Sequence, residues 1–155
     1  MQLVADHARL HPGLRASGHA DEGLHRLAQH AHAAGLSLLI DLVLDRVAAD
    51  GELARAHPAW FHPYEPARVR LDPRHSAQED NAAYANFDDP HAAAQLGAWW
   101  SKRLAALTDA GVDGFRFDSP HRVPVDLWLE LRAAVQARRE SVRMLASTPG
   151  LSRGD

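Results

Sequence analysis

The sequence predicts an α/β fold whose parallel strands are connected by helices. Three observations support this prediction: helix-like and strand-like segments alternate, the strand-like segments are nearly continuous apolar runs, and polar residues follow at their ends. Such connections are right-handed and bring the carboxyl ends of the strands to one edge of the sheet. Doubly wound sheets and (β/α)8 barrels share this order, and three strands are too few to close a barrel.

The first helix is predicted over residues 21–34. Its apolar residues recur at helical spacing, acidic residues occupy its first turn and Gly35 marks its end. An apolar run over residues 36–44 follows and predicts a parallel strand that is covered on both faces. Polar side chains lie within this run and directly after it: Asp41, Asp45 and Arg46.

A long irregular segment covers residues 47–90. It contains five prolines, a short helix-like stretch over residues 49–57 and a group of aromatic residues: Trp60, Phe61, Tyr64, Tyr84 and Phe87. A segment of this length inside a compact domain is usually functional. The sequence leaves two interpretations of the rings open, because they suit either the apolar faces of a sugar or the small core of an insert.

The second half of the chain continues the alternation of helices and strands. The predicted elements are a helix over residues 91–110, a strand over 112–118, a helix from Pro124 to about residue 139 and a strand over 142–146. Gly111 marks the end of the first of these helices. Its apolar stripe predicts that at least one of Trp99 and Trp100 lies in the core.

The candidate catalytic residues lie at the end of the strand over residues 112–118. Arg116 and Asp118 are two residues apart, so their side chains point to the same side of a strand, with Phe115 and Phe117 on the other. An arginine beside an aspartate favours the ionised carboxylate, which suits a nucleophile or an electrostatic stabiliser. The alternative that the pair leaves open is a buried structural ion pair.

The composition limits the classes of function. The 155 residues carry a net charge of -3, which gives no basic excess for nucleic acid, and no apolar run is long enough to cross a membrane. The sequence lacks cysteine and shows no signal peptide, so we predict a cytoplasmic protein. The chain has eleven histidines, but His25, His30 and His32 do not share one helix face, so we predict no metal site and no cofactor.

Two strand-end motifs resemble conserved motifs of the alpha-amylase family, glycoside hydrolase family 13. These motifs are Asp41-Leu42-Val43-Leu44 and the more specific Gly114-Phe115-Arg116-Phe117-Asp118. Other stretches resemble the maltosyltransferases of that family, which extend alpha-1,4-glucan from maltose 1-phosphate. They are His57-Pro58-Ala59-Trp60-Phe61, Asn86-Phe87-Asp88-Asp89-Pro90 and Asp118-Ser119-Pro120-His121 with Pro124.

The resemblance implies a (β/α)8 TIM barrel of which residues 1–155 cover about half, from the end of the second barrel strand to the fifth. Residues 47–90 would be the irregular insert of that barrel, similar to domain B of the family. The resemblance also implies roles for individual residues. Asp118 would be the nucleophile, Arg116 would orient and ionise it, and the substrate would contact Asp41, Asp45, Arg46 and His121. Asp45 and Arg46 replace the Asn-His pair of ordinary amylases, which the maltosyltransferases also lack.

The chain departs from the family at the position of the general acid. In the family the fifth barrel strand ends in Ala-Glu, whereas here Ala146 is followed by Ser147. Serine cannot donate the required proton at neutral pH, and a retaining glycosidase needs two carboxyl groups about 5 Å apart. The resemblance therefore implies a catalytic domain for alpha-1,4-glucan or maltose 1-phosphate that is inactive as an isolated chain. The alternatives are a non-catalytic glucan-binding module and a barrel remnant that self-associates through unpaired strand edges.

Overall fold

A computed structural model of the chain describes residues 3–7, 9, 20–62 and 81–148. Its helices and strands are α1 Ala20–Ala33, β1 Leu39–Val43, β2 Arg46–Ala48, α2 Glu52–Ala56, β3 Ala82–Tyr84, α3 Pro90–Asp109, β4 Gly114–Asp118, α4 Val125–Gln136 and β5 Arg143–Ser147. Short 3-10 helices cover Pro58–Trp60 and Pro120–Arg122. The predicted alternation of helices and strands is confirmed.

The strands β1, β4 and β5 form one parallel sheet with β4 in the centre. In this sheet Val43 pairs with Asp118, and Asp118 pairs with Ser147 on its other side. Two residues earlier, Asp41 pairs with Arg116, which pairs with Leu145. The predicted parallel sheet is therefore present, and its strand ends form two successive rows of side chains.

The helix ends follow the glycine signals in the sequence. Gly35 has φ of 72°, and the N–H of Leu36 donates back to the carbonyl of Ala31 at 2.8 Å. Gly111 has φ of 103°, a conformation that glycine adopts without the steric cost of a side chain. At the start of α3, the side chain of Asp89 accepts a hydrogen bond from the N–H of His91 at 2.9 Å.

The hydrophobic core covers one face of the parallel sheet. Phe115 and Phe117 of β4 join Leu42 of β1 on this face, where they belong to one cluster with apolar residues of three helices: Leu24, Leu96, Trp100, Leu104, Leu127, Leu131 and Val135. Trp100 is wholly buried, which confirms that one tryptophan of α3 belongs to the core.

The other face of the sheet is open in the described part of the chain. Leu39, Asp41, Arg116 and Leu145 are exposed there. The prediction that the first strand is covered on both faces is therefore wrong. That prediction rested on the apolar run over residues 36–44. The run is longer than β1, and Leu36, which precedes the strand, is exposed.

The described part of the segment over residues 47–90 contains more regular structure than its sequence predicts. β2 and β3 pair antiparallel, and Phe61 forms a further bridge with Ala85. The helix-like stretch over residues 49–57 is present as the shorter α2. No helix among the described residues is long and apolar enough to cross a membrane.

Candidate active site at the strand ends

The open face of the sheet brings the predicted catalytic positions together at its carboxyl edge. Asp118 and Ser147 are the last residues of β4 and β5 and are paired in register. Asp41 lies one row deeper, opposite Arg116, and not at the very end of its strand. All four side chains belong to the same face because side chains two residues apart on a strand point to the same side.

Arg116 contacts Asp41 and not Asp118. Its Nε donates to one carboxylate oxygen of Asp41 at 2.8 Å, and its Nη2 donates to the other. The hydrogen bonds and the charge of Asp41 raise the pKa of Arg116. The charge of Asp118 also acts to raise the pKa of Arg116, so the predicted role of Arg116 in ionising Asp118 stays a prediction, although its hydrogen bonds go to Asp41. The parallel register places Asp41 directly opposite the arginine, whereas Asp118 lies two residues further along the same strand.

Arg46 is the arginine that holds Asp118. Its Nη2 donates to Oδ2 of Asp118 at 3.1 Å, while its Nη1 donates to both carboxylate oxygens of Asp45 at 2.7 and 3.0 Å. The side chains of Arg46 and Asp45 are only 6% and 5% exposed. One guanidinium therefore bridges two carboxylates beneath the strand ends.

A second arginine completes this buried cluster. Nη1 of Arg122 lies 3.6 Å from Oδ2 of Asp45, and its side chain is partly exposed. Burial raises the pKa of Asp45, against the opposing effect of Arg46 and Arg122. Since Arg116 neutralises Asp41 on the open face, the three aspartates of the site are matched by three arginines.

The turn after β4 is tight and positions the remaining polar residues. Ser119 has φ of 49°, in the left-handed region that side chains rarely adopt. Its N–H donates to the carbonyl of Ser147 at 3.0 Å, and its carbonyl accepts from the N–H of Arg122 at 3.1 Å. The hydroxyl of Ser119 donates to Oδ2 of Asp118 at 3.3 Å. His121 follows on the 3-10 helix and is exposed.

The geometry separates the predicted substrate contacts into two groups. Asp41 and His121 are exposed, whereas Asp45 and Arg46 are buried against Asp118. The buried pair can support the carboxylate of Asp118, and its contact with a substrate stays a prediction.

Sequence reasoning missed the bridge that Arg46 makes. The adjacent Asp45-Arg46 after an apolar strand was the available signal, because buried charges are usually paired.

Three aromatic residues of the segment over residues 47–90 pack in or against the core. Phe61 belongs to the core cluster, and Trp60 and Phe87 pack against it. Trp60 also stacks on the ring of His57, with centroids 3.8 Å apart. Tyr64 lies outside the described residues. For Phe61, Trp60 and Phe87 the contacts favour packing in the hydrophobic core over a free sugar platform.

In the described ranges, no group of three or more His, Cys, Asp or Glu side chains is arranged to hold a metal ion.

Asp113 is held away from the strand ends by other partners. Its Oδ2 accepts from the N–H of Leu38 at 2.7 Å and lies 2.8 Å from Nε2 of His32. Burial acts to raise the pKa of Asp113, but these hydrogen bonds and the charges of His32 and Arg139 outweigh it and lower that pKa.

Curated proteins have sequences similar to that of this chain. The chain is 36% identical over 150 residues to the alpha-1,4-glucan:maltose-1-phosphate maltosyltransferase of Burkholderia pseudomallei. This match covers 97% of this chain and 13% of that protein. The chain is also 30% identical over 133 residues to the protein of the same name from Bifidobacterium longum, in a match that covers 82% of this chain and 17% of that protein. No family model matches the chain.

Solved structures share the fold. An alpha-amylase from Lactobacillus plantarum superposes with a TM-score of 0.67 and 23% identity over 94% of this chain and 32% of that one. A maltogenic alpha-amylase from Thermotoga neapolitana superposes with a TM-score of 0.69 and 19% identity, over 93% of this chain and 31% of that one.

The parallel sheet is thus that of an α/β protein with the fold of the alpha-amylases. Together with the sequence matches, they show that the chain belongs to the alpha-amylase family. The family resemblance inferred from the motifs is confirmed. The curated relatives that it matches are maltosyltransferases, and it spans less than a fifth of the length of the two described above.

Proposed function

We propose that the chain is part of a (β/α)8 barrel from an enzyme that acts on alpha-glucan as a glycoside hydrolase or a maltosyltransferase. The one-sided burial of the sheet supports this proposal. Helices cover the face of Leu42 and Phe117, while Asp41 and Arg116 face an open side. In a closed barrel this face without helices would line the packed interior, whereas a doubly wound sheet carries helices on both faces.

Asp118 occupies the nucleophile position in this proposal. The pairing of Asp118 with Ser147 at the carboxyl edge is the observation that carries it. In a retaining glycosidase the two catalytic carboxyl groups stand about 5 Å apart, as neighbouring strand ends can place them. Arg46 takes the role of holding the Asp118 carboxylate, since it is the arginine within hydrogen-bond distance.

The residues at these strand ends also support the proposal that the isolated chain is inactive. Ser147 occupies the position of the acid, and its hydroxyl cannot protonate a leaving oxygen at neutral pH. A glycosyl-enzyme intermediate must be both formed and released, and each step needs the second carboxyl group. We place the protein in the cytoplasm, since a sequence without cysteine fits a reducing compartment.

Turnover assays test the proposal. The purified chain is incubated with maltose 1-phosphate and glycogen, and separately with maltosyl fluoride, whose leaving group needs little protonation. We expect no transfer from maltose 1-phosphate. Transfer that disappears in the Asp118→Asn variant would overturn the claim of inactivity while supporting the nucleophile position. Transfer that persists in Asp118→Asn would contradict the assignment of Asp118.

A glucan-binding module is the second candidate function. The exposure of Asp41 and His121 favours it, since both side chains are accessible to a sugar. Isothermal titration with maltoheptaose tests this candidate. A folded chain that releases no heat with millimolar ligand would count against it.

A self-associating remnant is the third candidate. β1 and β5 are the two edges of the parallel sheet among the described residues, and open edges invite pairing with another chain. Sedimentation over a range of protein concentrations tests it, because a monomer that unfolds cooperatively would argue against self-association.

A further inference from the structure

A cavity lies apart from the strand ends. Its volume is about 190 Å³, and none of the described residues that line it belongs to the strand-end site. The segment over residues 3–7, the helix α2 and the helix α3 build its walls. The polar and aromatic groups that line it are Asp6, His7, Glu52, His57 and Trp99. Three separate elements therefore converge on one small space.

The walls of this cavity are fixed by contacts outside it. The N–H of Glu52 donates to the carbonyl of Ala5 at 2.8 Å, which fastens the segment over residues 3–7 to α2. The ring of His7 packs edge-on against Trp99 and Trp100, with centroids 5.5 and 5.2 Å apart. The His57 ring is stacked on Trp60, as described above. A ligand would thus meet a preformed site.

The charges around the cavity disfavour an anionic ligand. Burial lowers the pKa of His7 from 6.5 to about 4, and the charge of Arg103 acts in the same direction. His7 is therefore neutral at physiological pH and can both donate and accept a hydrogen bond. Asp6 has Arg9 as a partner at 3.6 Å, so its charge is partly compensated. Among the described residues that line the cavity there is no lysine or arginine to pair with an anionic ligand.

We infer that this cavity is a binding site for a single neutral sugar ring. The hydroxyl groups of a pyranose would donate to the carboxylates of Asp6 and Glu52, and the two imidazoles supply further donors and acceptors. The apolar face of the ring would pack against Trp99 and Leu53, which also line the space. Sites for drug-sized ligands measure about 300–1,000 Å³, so this smaller cavity suits one ring and not a glucan chain.

Saturation-transfer NMR and tryptophan fluorescence on the full chain test this site, with glucose as the probe. We expect the chain without substitutions to bind glucose saturably in the millimolar range. Glu52→Gln keeps the shape of the side chain and should weaken binding roughly tenfold, because an ionised acceptor is lost. Ala56→Phe should abolish binding, because Ala56 lines the cavity and is exposed, so the larger ring fills the space without disturbing the core.

Matched controls separate this site from the strand ends. Glu22→Gln changes an exposed acid on α1 and should leave glucose binding unchanged. Asp118→Asn should also leave it unchanged. Binding that survives Ala56→Phe but disappears in Asp118→Asn would move the sugar to the strand ends and overturn the inference. No saturable binding by the folded original chain, or tighter binding of tetramethylammonium than of glucose, would overturn it as well.

Discussion

Replacement of Arg46 by methionine tests the buried cluster beneath the strand ends. Methionine has a similar length and no charge, so Arg46→Met removes the guanidinium while leaving much of its volume filled. Three hydrogen bonds are lost, two to Asp45 and one to Asp118. Since Asp45 is only 5% exposed, water cannot easily replace those bonds.

The expected loss of stability is large for a single substitution. Breaking a buried ion pair by removing one partner costs about 3–5 kcal/mol, because the remaining charge is left uncompensated. Arg122 lies 3.6 Å from Asp45 and can compensate part of that charge, so we expect the lower end, about 3 kcal/mol. Arg116→Met is the matched control, since the side chains of Arg116 and Asp41 are about half exposed and should contribute far less.

Urea unfolding monitored by tryptophan fluorescence measures both losses. Adding Asp45→Asn to Arg46→Met should recover stability, because it removes the uncompensated carboxylate. The deficit of Arg46→Met should also shrink on acidification. Burial raises the pKa of Asp45, so this carboxyl takes up a proton in the folded state before the unfolded chain does, and its cost fades as the pH falls. Equal losses for Arg46→Met and Arg116→Met would refute the reasoning.

Three further predictions concern the scaffold. Gly111→Ala should destabilise the fold more than Gly35→Ala in urea unfolding, because both glycines have positive φ but only a side chain at 111 would approach Ala28, at 2.8 Å. Comparable losses would contradict this account. His7→Phe should flatten the pH dependence of stability: the folded pKa is about 4 and the ordinary value 6.5, so the contribution of neutral His7 is complete above 6.5 and lost as the pH falls through about 4. An unchanged pH profile would rule this out. Asp113→Asn should remove an acid-sensitive contribution that is present above the ordinary aspartate pKa and lost as the pH falls through the lowered folded value, as urea titrations at successive pH values would reveal.

Local signals in the sequence were sufficient for much of the fold. Gly35 and Gly111 end their helices as predicted, because a positive φ at a helix end is a local requirement that glycine meets. The placement of Arg116 and Asp118 on one side of β4 followed from the two-residue period of a strand. These features depend on neighbouring residues alone.

The partners of the charged residues could not be predicted in the same way. Asp41 meets Arg116 because two strands pair in a particular register, 75 residues apart in sequence. Arg46 reaches Asp118 because the chain leaves the parallel sheet after β1 and continues as β2, which pairs with β3. Both contacts are set by tertiary structure, which periodicity and spacing do not report.

The left-handed backbone of Ser119 has a mechanical consequence for the strand ends. A left-handed conformation costs a residue with a side chain roughly 1–2 kcal/mol, so it persists only where surrounding bonds hold it. Here one residue joins the end of β5, through Ser147, to the turn that carries Arg122. Ser119 therefore ties the ends of β4 and β5 to this turn, so a displacement of one strand end would be passed on to the other and to Arg122.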